Sequence, residues 1–178
     1  MPEKPDSELV QAAISGDADS FTQLCRRYYP AMVAIAHSVL GDRHLAEDAA
    51  QQGFANAVRK LPQLKRKDRF VGWLAVICRN TAKDMSKSIK PLGSSEGLCS
   101  IAAGAQQDSS AAIVRQAVAE LPAADREVIF LRFYDGMTYE QMSAVLGISE
   151  QAINGKLRRA KIKIADYLRR EGFARVRL

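Results

Sequence analysis

The C-terminal quarter of the sequence carries the side chains best suited to chemistry. After Ser149, the polar residues Gln151, Asn154, Lys156, Arg159 and Lys161 interleave with Ile153, Leu157, Ala160, Ile164 and Leu168, which recur at helical spacing. Amides and guanidinium groups near the start of such a helix can hydrogen-bond base edges in a major groove. Cations further along can hold phosphates. Just upstream, Thr138-Tyr139-Glu140-Gln141 has the form of a capping box, with Thr138 as N-cap and Gln141 reaching back. A short helix over Tyr139–Leu146 follows, burying Met142, Val145 and Leu146. Gly147 suits the left-handed position that ends it, and Ser149 caps the next helix, about Glu150–Arg170. Helix, short glycine turn and helix together form the pattern of a DNA-binding helix-turn-helix.

Other chemistries find little support. There is no phosphate-cradling glycine loop, no H-E-x-x-H and no nucleophile elbow. Glu47 and Asp48 are adjacent, so a helix would point them to different sides. An enzyme is therefore not expected. Cys25, Cys78, Cys99, His37 and His44 lack the close spacing of metal ligands, and neither a metal nor another cofactor is expected. Cys25 and Cys78 sit among apolar residues and read as core. Cys99 reads as the exposed thiol.

The elements that position these residues are helical almost throughout. A first helix is expected over Ser7–Ser15 and a long one over Ala18–Leu40, kinked or split at Pro30 and ended by Gly41-Asp42. Further helices are expected over Leu45–Leu61 and Phe70–Ser88. Pro91–Ser110 is rich in Gly, Ser and Ala and reads as a flexible linker. Order returns at Ala111–Leu121, and Pro122 suits the entry to a helix over Ala123–Tyr134. The fold class is thus all-α: two small helical domains, 1–90 and 111–178, joined by a linker over 91–110.

Charge placement agrees with a polyanionic partner. The chain has 178 residues and a net charge of +6. Lys156–Leu178 holds nine basic residues against two acidic ones, so the rest is close to neutral. A second basic cluster, six residues against Asp68, lies in Arg59–Arg69. Two separated clusters suggest nucleic acid touched at two places. No apolar run approaches the roughly 20 residues of a membrane span, and the N-terminus, MPEKPDSE, lacks the apolar core of an export signal. Membrane insertion is not expected, and a cytoplasmic location is.

Two groups of motifs make the reading more specific. The stretch from Glu120-Leu121-Pro122 through Arg126-Glu127-Val128, Tyr139-Glu140-Gln141 and Leu146-Gly147-Ile148-Ser149 to Lys156-Leu157-Arg158-Arg159-Ala160 resembles the C-terminal region of extracytoplasmic-function sigma factors. Ala46-Glu47-Asp48-Ala49-Ala50-Gln51 with Phe54 resembles the polymerase-binding helix of that family. Phe70, Trp73-Leu74, Ile77, Arg79-Asn80 and Asp84 resemble its promoter-opening helix. The matches stand in family order over roughly residues 7–170.

The resemblance implies a sigma-70-type subunit of RNA polymerase that directs promoter-specific initiation, with core polymerase and promoter DNA as partners. It implies that Asp48, Gln51 and Phe54 bind core polymerase. It also implies that an unpaired promoter base is captured beside Trp73 and Asn80, with Arg79, Lys83 and Lys87 holding the backbone. A base out of the stack needs an aromatic surface and edge hydrogen bonds, which Trp73 and Asn80 offer; Trp73 also fits a core position. Ser149, Gln151, Asn154, Lys156 and Arg159 are the expected contacts to the upstream element. The resemblance further implies an anti-sigma protein as a candidate partner. Three places depart from the family pattern: Asn154-Gly155 in the recognition helix, Gln52-Gly53 in the polymerase-binding helix and the mild Met85-Ser86-Lys87-Ser88 after Asp84. The competing reading is a conventional duplex-binding regulator that dimerises on a palindrome.

Overall fold

A computed structural model describes residues 4–89 and 109–173. Lys90, the bulk of the expected linker with Cys99, and the basic residues Arg175 and Arg177 lie outside the described residues. All regular structure among the described residues is helical. No helix among them is long and apolar enough to cross a membrane.

The N-terminal half is built from α1 (Asp6–Ile14), α2 (Ala18–Leu40), α3 (Arg43–Lys60) and α4 (Phe70–Ile89). Carboxylates cap two of them. Asp17 accepts from the backbone of Asp19 at 3.1 Å and from the Ser20 hydroxyl at 2.6 Å, and this hydroxyl holds its pKa below the usual carboxylate range. Asp42 accepts from the Leu45 backbone at 2.9 Å. Gly41 closes α2 at φ 70°, a conformation that costs glycine nothing. α2 runs through Pro30 as one helix, so the proline does not split it. Pro30 is exposed, so water can take the carbonyl that its missing N–H leaves unpaired.

α3 packs through small side chains: Ala46, Ala49, Ala50, Gly53 and Ala57 are all buried. Gly53 faces α4 so closely that a Cβ there would lie 2.5 Å from Cys78 Sγ and 3.2 Å from Cys78 Cα. The glycine that weakens the helix in isolation is thus what lets the two backbones meet. Burial pushes the Cys78 thiol up to about 12 and the half-buried Cys25 thiol up to about 11.

The C-terminal half holds α5 (Ser109–Ala119), α6 (Ala123–Ile129), α7 (Tyr139–Leu146) and α8 (Glu150–Arg170). The expected single helix over Ala123–Tyr134 changes character at Phe130–Tyr134, a wider π turn. Asp135 and Met137 donate their N–H groups back to Phe130 and Leu131 at 3.1 and 3.0 Å. Gly136 at φ 69° turns the chain, and the Arg132 guanidinium donates to the Met137 carbonyl at 2.6 Å. The wider turn leaves Phe133 59% exposed. Large aliphatic residues fill the core beneath: Leu131, Met142, Val145, Ile153, Leu157, Ile164 and Leu168 are buried. Buried Asp125 accepts from Lys163 Nζ at 2.8 Å and ties α6 to α8.

The two halves touch along two seams. α2 meets α6 and the π turn, where the His37 ring lies 4.6 Å from Phe130 and 5.4 Å from Tyr134. α4 meets α7, where the Gly72 Cβ position lies 3.4 Å from the Ala144 carbonyl.

Candidate nucleic-acid interface

The helix-turn-helix is held by local hydrogen bonds that its sequence anticipates. Thr138 Oγ1 accepts from the Gln141 backbone at 3.2 Å, and Gln141 Oε1 accepts from the Thr138 backbone at 2.8 Å. Gly147 ends α7 at φ 69°. The Ser143 hydroxyl donates to the Ile148 carbonyl at 2.7 Å and ties the turn to α7. Ser149 Oγ accepts from the Ala152 backbone at 3.2 Å and opens α8.

These caps fix which face of α8 looks outward. Ile153, Leu157, Ala160, Ile164 and Leu168 are buried, as their spacing requires. Ser149, Gln151, Asn154, Arg158 and Arg159 are exposed, and Lys156 is half-buried. Among the described residues, no ion pair engages Lys156, Arg158 or Arg159. Gly155 leaves room for its neighbour: the Arg159 guanidinium lies 3.5 Å from where a Cβ would sit. The result is an open row of amides followed by cations, the chemistry of base-edge reading backed by phosphate contacts.

The N-terminal half offers two further faces. Asp48 and Gln51 stand exposed one turn apart on α3. Phe54 is only 7% exposed and stacks on Tyr29, with ring centroids 6.3 Å apart. It supports α3 from behind rather than adding to that face. On α4, Asn80, Lys83 and Lys87 are exposed, and Lys87 pairs with Asp84 at 3.2 Å. Trp73 lies on the same stripe, half-buried, its ring centroid 6.1 Å from that of Phe70. Arg79 is different. Its Nε and one terminal nitrogen both donate to Glu127 Oε1, at 3.0 and 2.7 Å, across the seam between the halves.

Two polar connections escaped the sequence reading. Asn56 on α3 donates to Thr81 on α4 at 3.3 Å and accepts from Arg59 and Gln52, bracing the exposed faces of both helices. Glu127 is the second. It stands 48 positions from Arg79, and no local pattern could have paired them.

A capped helix-turn-helix with an open basic face, beside a second helical unit with exposed polar faces, defines a DNA-binding transcription factor. Family models place it further: the description "Sigma-70 region 2" matches residues 24–90 and "Sigma-70, region 4" matches residues 111–164. The chain belongs to the sigma-70 family, as a sigma factor of the extracytoplasmic-function kind. As such it directs promoter-specific initiation by RNA polymerase and is not an enzyme.

Among curated relatives, the probable RNA polymerase sigma factor RfaY of Xanthomonas campestris is 30% identical over 94% of this chain, which spans 45% of that protein. The sigma factor SigM of Mycobacterium tuberculosis is 26% identical over 93% of this chain and 86% of its own length. CnrH of Cupriavidus metallidurans is 27% identical over 94% of this chain and 96% of its own. The solved structure of CnrH in complex with the cytosolic domain of CnrY has a TM-score of 0.65, is 27% identical and covers 94% of this chain and 99% of that one.

Proposed function

We propose a division of labour between two domains, 1–90 and 111–178, with 91–110 joining them. The exposed pair Asp48 and Gln51 binds core polymerase, with Phe54 holding their helix in place. Asn80 and Lys83 contact promoter DNA as it opens, with Trp73 lending an aromatic surface and Arg79 a phosphate contact. Gln151, Asn154, Lys156 and Arg159 read the upstream element as closed duplex, with Ser149 at the start of their helix. The protein works in the cytoplasm, where its polymerase is.

The observation that carries this reading is the simultaneous exposure of Asn80 with Lys83 on α4 and of Gln151 with Asn154 on α8. A conventional regulator needs only the second of these faces. A protein inhibitor of the anti-sigma type is part of the same proposal. An apolar cleft of 420 Å³ between the end of α2, α5 and the π turn, walled by Val114, Val118, Phe130 and Phe133, suits such a partner.

Run-off transcription with purified core polymerase tests the reading. Discrete transcripts are expected only when the protein is present, and are expected to vanish in Asn80→Ala and in the double variant Asp48→Ala/Gln51→Ala. A protein that shifts operator DNA alone and starts no transcript would instead be a duplex-binding regulator.

A further inference from the structure

We infer that the Arg79–Glu127 ion pair is a latch that holds the promoter-opening helix against the DNA-reading half, so that the free protein is closed and must open before Arg79 meets DNA. The inference rests on the proposed role of α4.

Three observations converge on it. First, the pair joins the two halves: Arg79 belongs to α4 and Glu127 to α6. Second, it is sheltered, with side chains 23% and 12% exposed. A charge-assisted bond of that kind is stronger than one in open water, and each partner left alone there would be poorly solvated. Third, the same edge of α4 carries a second contact with the other half. Gly72 lies two turns before Arg79 on the same side of α4 and rests against the Ala144 and Val145 carbonyls at the end of α7.

Closure has a chemical consequence. The guanidinium nitrogens that would fork onto a phosphate already donate to Glu127. A carboxylate and a phosphate compete for the same donors. While the pair stands, the two charges cancel, so the Arg79 edge of α4 offers a DNA backbone no net positive charge. Asn80 and Lys83 remain exposed on the next face, so closure disarms the helix without burying it. Opening frees one cation and removes one anion from the path of the strand.

The latch is tested by the distance between spin labels at Gln23 and Glu171, both exposed, in a full-length Cys25→Ser/Cys99→Ser background. A short, narrow distribution is expected at low salt, with a longer component growing as salt rises. Glu127→Gln is expected to raise the open fraction roughly 5- to 30-fold. Glu127→Asp keeps the charge and is expected to stay mostly closed. Gly72→Gln is expected to open the protein by bulk, with the ion pair's residues intact. Association of each variant with core polymerase, followed by stopped flow, is expected to quicken in proportion to its open fraction.

A distribution unmoved by Glu127→Gln, or moved equally by Glu127→Asp, overturns the charge latch. Distances that respond while association with polymerase does not would overturn its gating role. These readouts do not depend on DNA. If they hold while Asn80→Ala still supports full transcription, the proposed role of α4 fails and the latch between the halves survives.

Discussion

The α3–α4 contact of the N-terminal half and the helix-turn-helix of the C-terminal half are packed in opposite ways. The C-terminal half fills its centre with Leu131, Met142, Ile153, Leu157 and Leu168, and sends its proposed DNA-reading side chains straight outward from α8. The N-terminal half brings α3 and α4 together over alanines, Gly53 and Cys78, and its proposed contact side chains are variously exposed, stacked or paired. A large-residue core tolerates a rim that can vary freely. A small-residue contact between two helices holds their backbones at close range, so that a change in α3 is felt in α4. The first arrangement suits a module that reads sequence, and the second suits one that must keep a polymerase face and a strand-opening face in register.

The contrast sharpens into two sensitivities to mutation, one to lost volume and one to added volume. Leu157→Ala removes a fully packed aliphatic side chain and is expected to cost about 2–5 kcal/mol, read as a lower thermal midpoint. Gly53→Ala adds a single methyl group and is expected to cost about 1–3 kcal/mol by overpacking. Part of that loss should return in Gly53→Ala/Cys78→Ala, because the sulfur is the nearest obstacle. Comparable tolerance of both single changes would break the distinction between the halves.

Smaller effects follow at the surface. Removing the α8 cap with Ser149→Ala is expected to cost about 1 kcal/mol, measured by chemical denaturation. Arg159→Ala is expected to weaken duplex binding and to flatten its dependence on log salt by about one, the signature of one lost phosphate contact. An unchanged slope would remove Arg159 from the interface.

The seam between the halves should also respond to acid. His37 is packed against Phe130 and Tyr134, and burial holds its pKa below the usual 6.5, with Asp42 and Arg43 pulling in opposite directions. The packed state therefore binds fewer protons than the separated one. Its stability is fully present above about pH 6.5 and is lost as pH falls from there toward the lowered value. The spin-label distance should lengthen over that interval, and His37→Phe should abolish the response.

Legibility from sequence divides along the same line as the packing. The C-terminal readout was almost wholly visible, because caps, a turn glycine and a five-residue apolar stripe are local signals, and Tyr139–Leu146 and Glu150–Arg170 stand where the pattern puts them. The helices of the N-terminal half were visible too, but the states of their side chains were not. Nothing in the spacing of Phe54 reveals that Tyr29 covers it, and nothing near Arg79 announces Glu127. That Pro30 does not split α2 was hidden for a related reason. Whether a proline breaks a helix depends on which side faces water, and that is settled by tertiary packing. Gly53 read only as a departure from the family pattern until the position of Cys78 gave it a purpose.

The central claim is that the two faces act on different parts of one promoter. Permanganate probing of opened DNA together with footprinting of the upstream element, on a single promoter with reconstituted holoenzyme, tests it most directly. Asn80→Ala is expected to abolish permanganate reactivity while keeping the upstream footprint, and Asn154→Ala to weaken the footprint first. Loss of the upstream footprint in Asn80→Ala, or full strand opening by that variant, would contradict the claim.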